Sequence, residues 1–117
     1  KSDAEKKREK ASQKQYHSCL ALAKKGDPEA CFLIHGYLST GIGCPTGMPD
    51  DVRLTEERTW LQRAADLGHA PAQVQLGHLN LVGRPQVAVS WFRKAASQGE
   101  RLGLYNLGEA YYQGHGV

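Results

Sequence analysis

An internal repeat constrains the fold of this chain more than any other feature. Residues 60–68 (WLQRAADLG) align without gaps with residues 91–99 (WFRKAASQG), and residues 18–26 (SCLALAKKG) form a weaker copy. A second element begins 12 residues after the start of each block, at Ala30, Ala72 and Gly103. The distance from that element to the next block varies, at 30 and then 19 residues. One fixed and one variable spacing predict tight helix–helix corners that alternate with surface loops.

Glycine and proline punctuate the repeat as helix ends and starts. A glycine closes each block, where a left-handed cap normally ends a helix, and prolines at 28, 71 and 85 suit a first helical position. Alternation typical of strands is absent from the sequence. We therefore predict an all-α chain with helices near residues 12–25, 28–40, 55–67, 71–82, 86–98 and 101–113. A lone hairpin cannot bury its apolar face, so the hairpins are expected to stack antiparallel in an α/α solenoid.

Bulky and small residues alternate at the expected helix contacts. The tryptophans are predicted to be the large buried residues of the core. An alanine lies four residues after each tryptophan, on the same helix face. Glycines occupy the matching position of the following helix, where extra bulk would overpack the contact. The predicted structural residues are Trp60, Ala64, Gly68, Gly77, Trp91, Ala95, Gly99 and Gly108.

Charge separates the start of the chain from its body. Six of the 15 basic residues lie within residues 1–14, which hold three acids, and the remaining sequence is balanced. A nucleic-acid partner is not expected, because the body lacks a basic stripe. Membrane insertion is not expected either, because no apolar stretch approaches the ~20 residues that a spanning helix needs. We divide the chain into a charged lead or helix extension (1–11) and a solenoid (12–117), with a helix remnant (12–25), two repeats (28–68 and 71–99) and a partial repeat (101–117).

Cysteine and histidine offer the best sequence candidates for chemistry. Cys31 and His35 lie four apart on one predicted helix, and Cys19 and Cys44 could complete a zinc set with them. Alternatively, any two of the three cysteines could form one disulfide. A Cys31–His35 nucleophilic pair is a further alternative, although no orienting acid accompanies it. Buried or idle thiols are the favoured interpretation, and we predict no catalytic residue, metal or cofactor. The Gly41-Ile42-Gly43 and Gly114-His115-Gly116 segments lack the residues that complete a phosphate-binding loop.

The repeat blocks resemble the Sel-like repeat family, which is related to the tetratricopeptide repeats. The resemblance rests on the two tryptophan blocks, on Leu76-Gly77 and Leu107-Gly108, and on Tyr111 with the Gly114–Val117 stretch. It implies a right-handed superhelix of hairpins and a scaffolding role in signalling, membrane-protein quality control or bacterial envelope and secretion systems. It also implies that the chain is not an enzyme. The compartment stays open between the bacterial envelope or periplasm and the cytoplasm.

Three departures from the family pattern affect the expected structure. His35 stands where the other repeats have Gly77 and Gly108, so this corner should open slightly or turn the imidazole outward. Residues 42–54 are expected to form an inserted loop. The third repeat stops before its second helix, which leaves an expected uncovered apolar flank on residues 101–113. Either the sequence is a fragment of a longer array or the missing helix is disordered.

The partner surface is predicted from helix geometry. The first helix of each repeat is expected to line the concave side, with Ala30, Ala72 and Gly103 facing neighbouring helices. Positions three and six residues further on should then point outward, with two tyrosines at the rim. The predicted partner-binding residues are Leu33, Tyr37, Gln75, His78, Asn106, Glu109 and Tyr112.

These features predict an adaptor or scaffold that grips a protein or peptide on its concave face. One alternative is an immunity or inhibitor protein that binds a bacterial toxin or effector, which rests on analogy of fold alone. Another is a structural spacer in an envelope or secretion complex that forms homo-oligomers through the open C-terminal repeat.

Overall fold

The computed structural model describes residues 2–41, 45, 47–114 and 116. Six helices occupy these residues, and none of them is in a strand. The helices are α1 (Asp3–Lys24), α2 (Pro28–Thr40), α3 (Asp50–Asp66), α4 (Ala70–Asn80), α5 (Pro85–Ser97) and α6 (Arg101–Gln113). The prediction of an all-α repeat fold is confirmed.

Two helix starts differ from the expected ones. α1 begins at Asp3, nine residues before the predicted position, because Ser2 caps it by accepting a hydrogen bond from the Glu5 amide. The charged segment at the start of the chain is therefore helical. α3 begins at Asp50, so residues 50–54 belong to a helix and not to an inserted loop as expected. Acidic residues in the first turn of both helices favour these starts through the helix dipole.

The three corners after the repeat blocks share one backbone geometry. Gly26, Gly68 and Gly99 all have positive φ. In each corner the glycine amide bonds the carbonyl three residues back, and the next amide bonds the carbonyl five residues back, at 2.9–3.2 Å. This pairing is the Schellman motif, which favours glycine because other residues rarely adopt positive φ. The glycine caps predicted from the sequence are found at these positions.

The chain divides into two compact units, Lys1–Arg63 and Ala64–Val117, which we call unit 1 and unit 2. In unit 1, α1 and α2 pack as a tight pair around a core that includes Ile34 and Leu38. The Arg53 guanidinium on α3 donates to the Leu38 carbonyl at 2.6 Å and so satisfies the C-terminal end of α2. Trp60 is buried in this unit, and the Arg63 guanidinium lies 4.7 Å from its ring.

In unit 2, α5 packs between α4 and α6, and Phe92 is its largest fully buried side chain. Phe92 packs with Val74, Ala88 and Ala95. Trp91 is only half-buried, with the Lys94 ammonium 4.4 Å from its ring, so the prediction that Trp91 wedges the core is wrong. The reason is helical geometry, because neighbouring residues on one helix point about 100° apart and only Phe92 faces α4.

The small residues of unit 2 mark some of the expected close contacts, but not all of them. A Cβ on Gly77 would collide with the Phe92 ring, and a Cβ on Gly103 would lie 2.9 Å from the Ala95 Cβ. At Gly108 a Cβ would meet nothing within 4 Å. The prediction that Gly108 lies at a tight contact is therefore wrong within the described residues.

Candidate functional site

Charged residues are concentrated in α1 and α3, whereas α5 carries only Arg93 and Lys94. We call α2, α4 and α6 the A helices and α1, α3 and α5 the B helices. α4 has no Asp, Glu, Lys or Arg, α2 has only Glu29, and α6 has Arg101 and Glu109. α3 alone carries eight such residues. Depletion of charge is a compositional mark of the core of a protein–protein interface.

The A helices also expose apolar side chains. Leu33 on α2, Leu79 on α4 and Leu102 on α6 are exposed by 46%, 63% and 58%. Scattered exposed leucines are ordinary on a protein surface. Here they accompany a lack of charge on the same helices, and this combination marks the A helices of each unit, taken separately, as candidate interaction surfaces.

In unit 2, four of the predicted binding residues occupy equivalent positions on α4 and α6. Gln75 aligns with Asn106, and His78 aligns with Glu109. Gln75, His78 and Glu109 are exposed and Asn106 is half-buried. With Leu79 and Leu102 they form a surface that we call the A face of unit 2.

His78 has a contact that the sequence did not predict. Its ring stands edge-on to the Phe92 ring at 5.6 Å between centroids. The His78 ring therefore covers the edge of the core of unit 2. The prediction that His78 points away from the neighbouring helix holds only in part, because the ring contacts Phe92 of α5.

Tyr112, predicted at the rim of the partner surface, is 90% exposed on α6. It aligns with Leu81, the C-cap residue of α4, which packs against the core of unit 2. Its place at the rim of a partner surface stays a prediction.

In unit 1, the two predicted binding residues lie on α2. Leu33 is exposed, whereas Tyr37 is half-buried and packs edge-on against Tyr16 of α1 at 6.0 Å. Burial raises the pKa of the Tyr37 hydroxyl above its ordinary value, and the nearby Cys19 adds to the rise. Tyr37 thus joins α1 to α2 and offers only part of its ring to a partner.

Cys31 and His35 point toward different helices. The Cys31 thiol donates to the Ala23 carbonyl of α1 at 3.6 Å, and burial raises its pKa above the ordinary value, an effect that Arg63 partly opposes. His35 Nδ1 instead lies 3.3 Å from the Glu57 carbonyl oxygen on α3. The geometry of a Cys–His nucleophilic pair is therefore missing.

No metal-binding cluster is found in the part of the chain that the structure describes. Cys19 and Cys31 are free thiols, and no group of three or more Cys, His, Asp or Glu is placed to hold a metal there. Cys44, Ile42, Gly43 and His115 lie outside the described residues. Gly41 and Gly114, which begin the two Gly-x-Gly segments, are left-handed caps of α2 and α6.

The His35 imidazole is buried, so of the two expected alternatives, an opened corner or an imidazole turned outward, the second is wrong. The residue is buried, stacks on Phe32 at 5.8 Å, and has Nδ1 3.6 Å from Glu57 Oε1. Its position aligns with Gly77, and Leu61 aligns with Phe92. Where unit 2 pairs glycine with phenylalanine at these positions, unit 1 has histidine and leucine, and the buried His35 ring is held by Phe32 and Glu57.

A repeated hydrogen bond across the corners was missed by sequence reasoning. Gln73 is buried and donates through Nε2 to the Ala65 carbonyl at 3.1 Å, while its Oε1 accepts from Gln98 at 3.0 Å. Gln73 aligns with Cys31, and Ala65 aligns with Ala23, so Cys31 makes the equivalent bond in unit 1. Cys31 and Gln73 each donate to the carbonyl eight residues back, but a thiol and a carboxamide differ in chemistry, so the sequence alone did not indicate this shared role.

No helix among the described ranges has the length and apolar character required to cross a membrane. The Sel1 repeat model matches this chain at residues 58–69, 70–100 and 102–117, which together make up about half of it. The second match spans α4 and α5, and the third begins with α6. Sel1 repeats generally mediate protein–protein interactions and are generally non-catalytic. The chain belongs to the Sel1 repeat family.

Proposed function

We propose that this chain is a non-catalytic adaptor that holds a protein partner through its A helices. The observation that carries the proposal is the lack of charge on α4, which nonetheless exposes Gln75, His78 and Leu79 to solvent. Solvated helix faces are usually rich in charge, as α3 is here. A face that is exposed yet nearly uncharged has a low cost of desolvation when a partner covers it.

The test compares partner capture by the complete chain and by variants of the A face. Gln75→Arg places a charge at the centre of α4 and should abolish capture, because a partner would have to bury that charge. Gln86→Arg makes the same change at an exposed position of α5 and should leave capture intact. His78 is unsuitable for substitution, because the loss of its contact with Phe92 could lower the stability of the fold as well as the capture of the partner.

A second pair of variants uses charge reversal. Glu109→Lys on α6 should weaken capture of the same partner, whereas Glu56→Lys on α3, also exposed, should not. Circular dichroism on all four variants checks that the fold is retained. Equal capture by Gln75→Arg, Glu109→Lys and the unaltered chain would reject the A helices as the binding surface.

A further inference from the structure

One side of α1 carries a row of cations along most of its length. Positions separated by alternating steps of three and four residues lie on the same side of an α-helix. Most positions of one such row in α1 are lysine or histidine, and all of them are exposed. Ala21 also belongs to the row, and Asp3, in the first turn, is its only acid. We call the cations of this row, with the two lysines that flank it, the basic stripe: Lys6, Lys7, Lys10, Lys14, His17, Lys24 and Lys25.

The basic stripe lies on the side of α1 opposite to α2. Tyr16 and Ala23 are the buried residues of α1, and both contact α2. Lys14 precedes Tyr16 by two positions, and Ala21 of the row precedes Ala23 by two. Two positions turn a helix by about 200°, so the row points away from the contact with α2. A partner can therefore reach the whole stripe without disturbing the packing of α1.

The shape and chemistry of the stripe suit a broad anionic surface better than a single anion. From Lys7 to Lys24 it spans about 26 Å, at the rise of an α-helix. Apart from His17 its cations are all lysines, which are flexible point charges without the planar fork that lets arginine grip one phosphate. The one arginine of the helix, Arg8, lies two positions before Lys10 and thus on the opposite side.

A protein surface is a poor match for the stripe. Lysine is depleted in protein–protein interfaces, whose binding energy comes mostly from buried aromatic and apolar anchors. The row contains no apolar side chain larger than Ala21. The stripe therefore lacks the residues that anchor a protein partner.

A nucleic acid is also a poorer match than a flat surface. A helix in the major groove of a duplex has phosphates on both sides. Glu5 and Glu9 lie on α1 outside the stripe and would meet one of these phosphate strands. The stripe also lacks phenylalanine, tyrosine and tryptophan, on which the bases of a single strand could stack. A flat anionic surface touches only the stripe and leaves both glutamates in solvent.

We propose that the basic stripe of α1 docks this chain on the surface of a membrane that contains anionic phospholipids. The negative surface potential of such a membrane attracts each lysine, and the six lysines act together because the helix holds them on one side. Since the row has no large apolar side chain, the helix lies on the lipid headgroups without entering the hydrocarbon. This inference goes beyond the proposed function and does not depend on the A helices.

The test is co-sedimentation of the complete 117-residue chain with phosphatidylcholine vesicles that contain about one third phosphatidylserine. The chain should bind these vesicles at about 0.1 M salt and should lose binding at about 0.5 M salt, because salt screens the attraction. It should not bind vesicles of phosphatidylcholine alone. Lys10→Gln should weaken binding about fivefold, which is the usual share of one lysine near an anionic membrane. Arg8→Gln removes the same charge from the opposite side of the helix and should weaken binding less than about twofold.

A double variant enlarges the contrast. Lys10→Gln combined with Lys14→Gln should lower the affinity for the vesicles about 20- to 30-fold. Arg58→Gln combined with Arg84→Gln removes the same charge at exposed positions outside α1 and should bind like the unaltered chain. Circular dichroism of both double variants checks that the helices are retained.

Three results would overturn the inference directly: no binding to the phosphatidylserine vesicles at about 0.1 M salt, equal binding to both kinds of vesicle, or equal losses in the two double variants. Tighter binding to a DNA duplex of about 20 base pairs than to the vesicles, compared at equal phosphate concentration, would also overturn it and would assign the stripe to nucleic acid. None of these results bears on capture of a protein partner by the A helices, which Gln75→Arg tests separately.

Discussion

Residues at one repeat position have different surroundings in the three repeats. Gly77 lies against the Phe92 ring and has no room for a side chain, whereas Gly108 has open space and His35 is buried beside Glu57. Identity of a residue in the repeat therefore does not imply identity of its contacts.

Alanine at the two glycines should have opposite effects. Gly77→Ala should destabilise the chain by about 1–2 kcal/mol, because overpacking against Phe92 outweighs the gain in helix propensity. Gly108→Ala should stabilise it by about 0.5–1 kcal/mol, because only the propensity term acts there. Urea unfolding followed by circular dichroism measures both changes. A loss of stability on Gly108→Ala would show that this face of α6 is covered.

The two described cysteines should differ in reactivity. Cys31 is buried and its pKa is raised by burial, so little reactive thiolate forms at neutral or mildly alkaline pH. Cys19 is half-buried and should react first. Alkylation of the native chain with iodoacetamide, followed by peptide mass spectrometry, should modify Cys31 only after denaturant is added. Equal native rates for both thiols would contradict the packing of α1 on α2.

Some residue roles could be read from the sequence, and others required the packing. The positive φ of Gly68 and Gly99 follows from their place at helix ends, which is local information. The choice between Trp91 and Phe92 as the core residue depends on the rotation of α5 against α4, which the block pattern does not specify. The buried role of Gln73 was missed because polar residues are usually placed on the surface.

At the scale of elements, α5 is the helix that holds unit 2 together, because it packs on both α4 and α6. Phe92→Ala should cost about 3–5 kcal/mol by leaving a cavity among Val74, Ala88 and Ala95. Trp91→Ala should cost less, since part of the indole remains in water in the folded state. Urea unfolding of both variants checks this order. A larger loss of stability for Trp91→Ala would show that Trp91, and not Phe92, is the α5 residue that faces the core.

The corner between α3 and α4 depends on the Gln73 carboxamide. Gln73→Leu has similar volume but leaves the Ala65 carbonyl without its side-chain donor and Gln98 without its acceptor. We expect a loss of about 0.5–1.5 kcal/mol, the net contribution of a typical hydrogen bond, because the Ala65 carbonyl still accepts from the Gly68 amide and Gln98 is exposed to water. Thermal unfolding is a suitable measurement, with Gln75→Leu on the exposed side of α4 as the control. Equal melting of the two variants would exclude a structural role for this bond.

Helix positions were predicted well where caps mark them and poorly where they do not. α2, α5 and α6 lie within one residue of expectation, because proline or glycine defines their ends. α1 extends to Asp3 through exposed, polar residues that carry no apolar periodicity. The early start of α3 follows two aspartates, which a reading based on apolar spacing overlooks.

At the scale of the whole molecule, the division between A and B helices links the fold to its proposed role. The B helices carry most of the charge, and the A helices expose leucines and uncharged polar groups. The hairpin pattern could be predicted from the repeat spacing alone. The composition of the partner surface could be predicted only in part, because the contacts of His78 and Tyr37 depend on tertiary packing.

Amide hydrogen exchange of the complete chain, with and without a captured protein partner, tests the central claim most directly. Partner binding should slow exchange in peptides from α4 and α6, above all around residues 75–80 and 102–109, and leave α5 and residues 3–14 unchanged. Protection confined to the B helices or to residues 3–14, with α4 and α6 unaffected, would contradict the account.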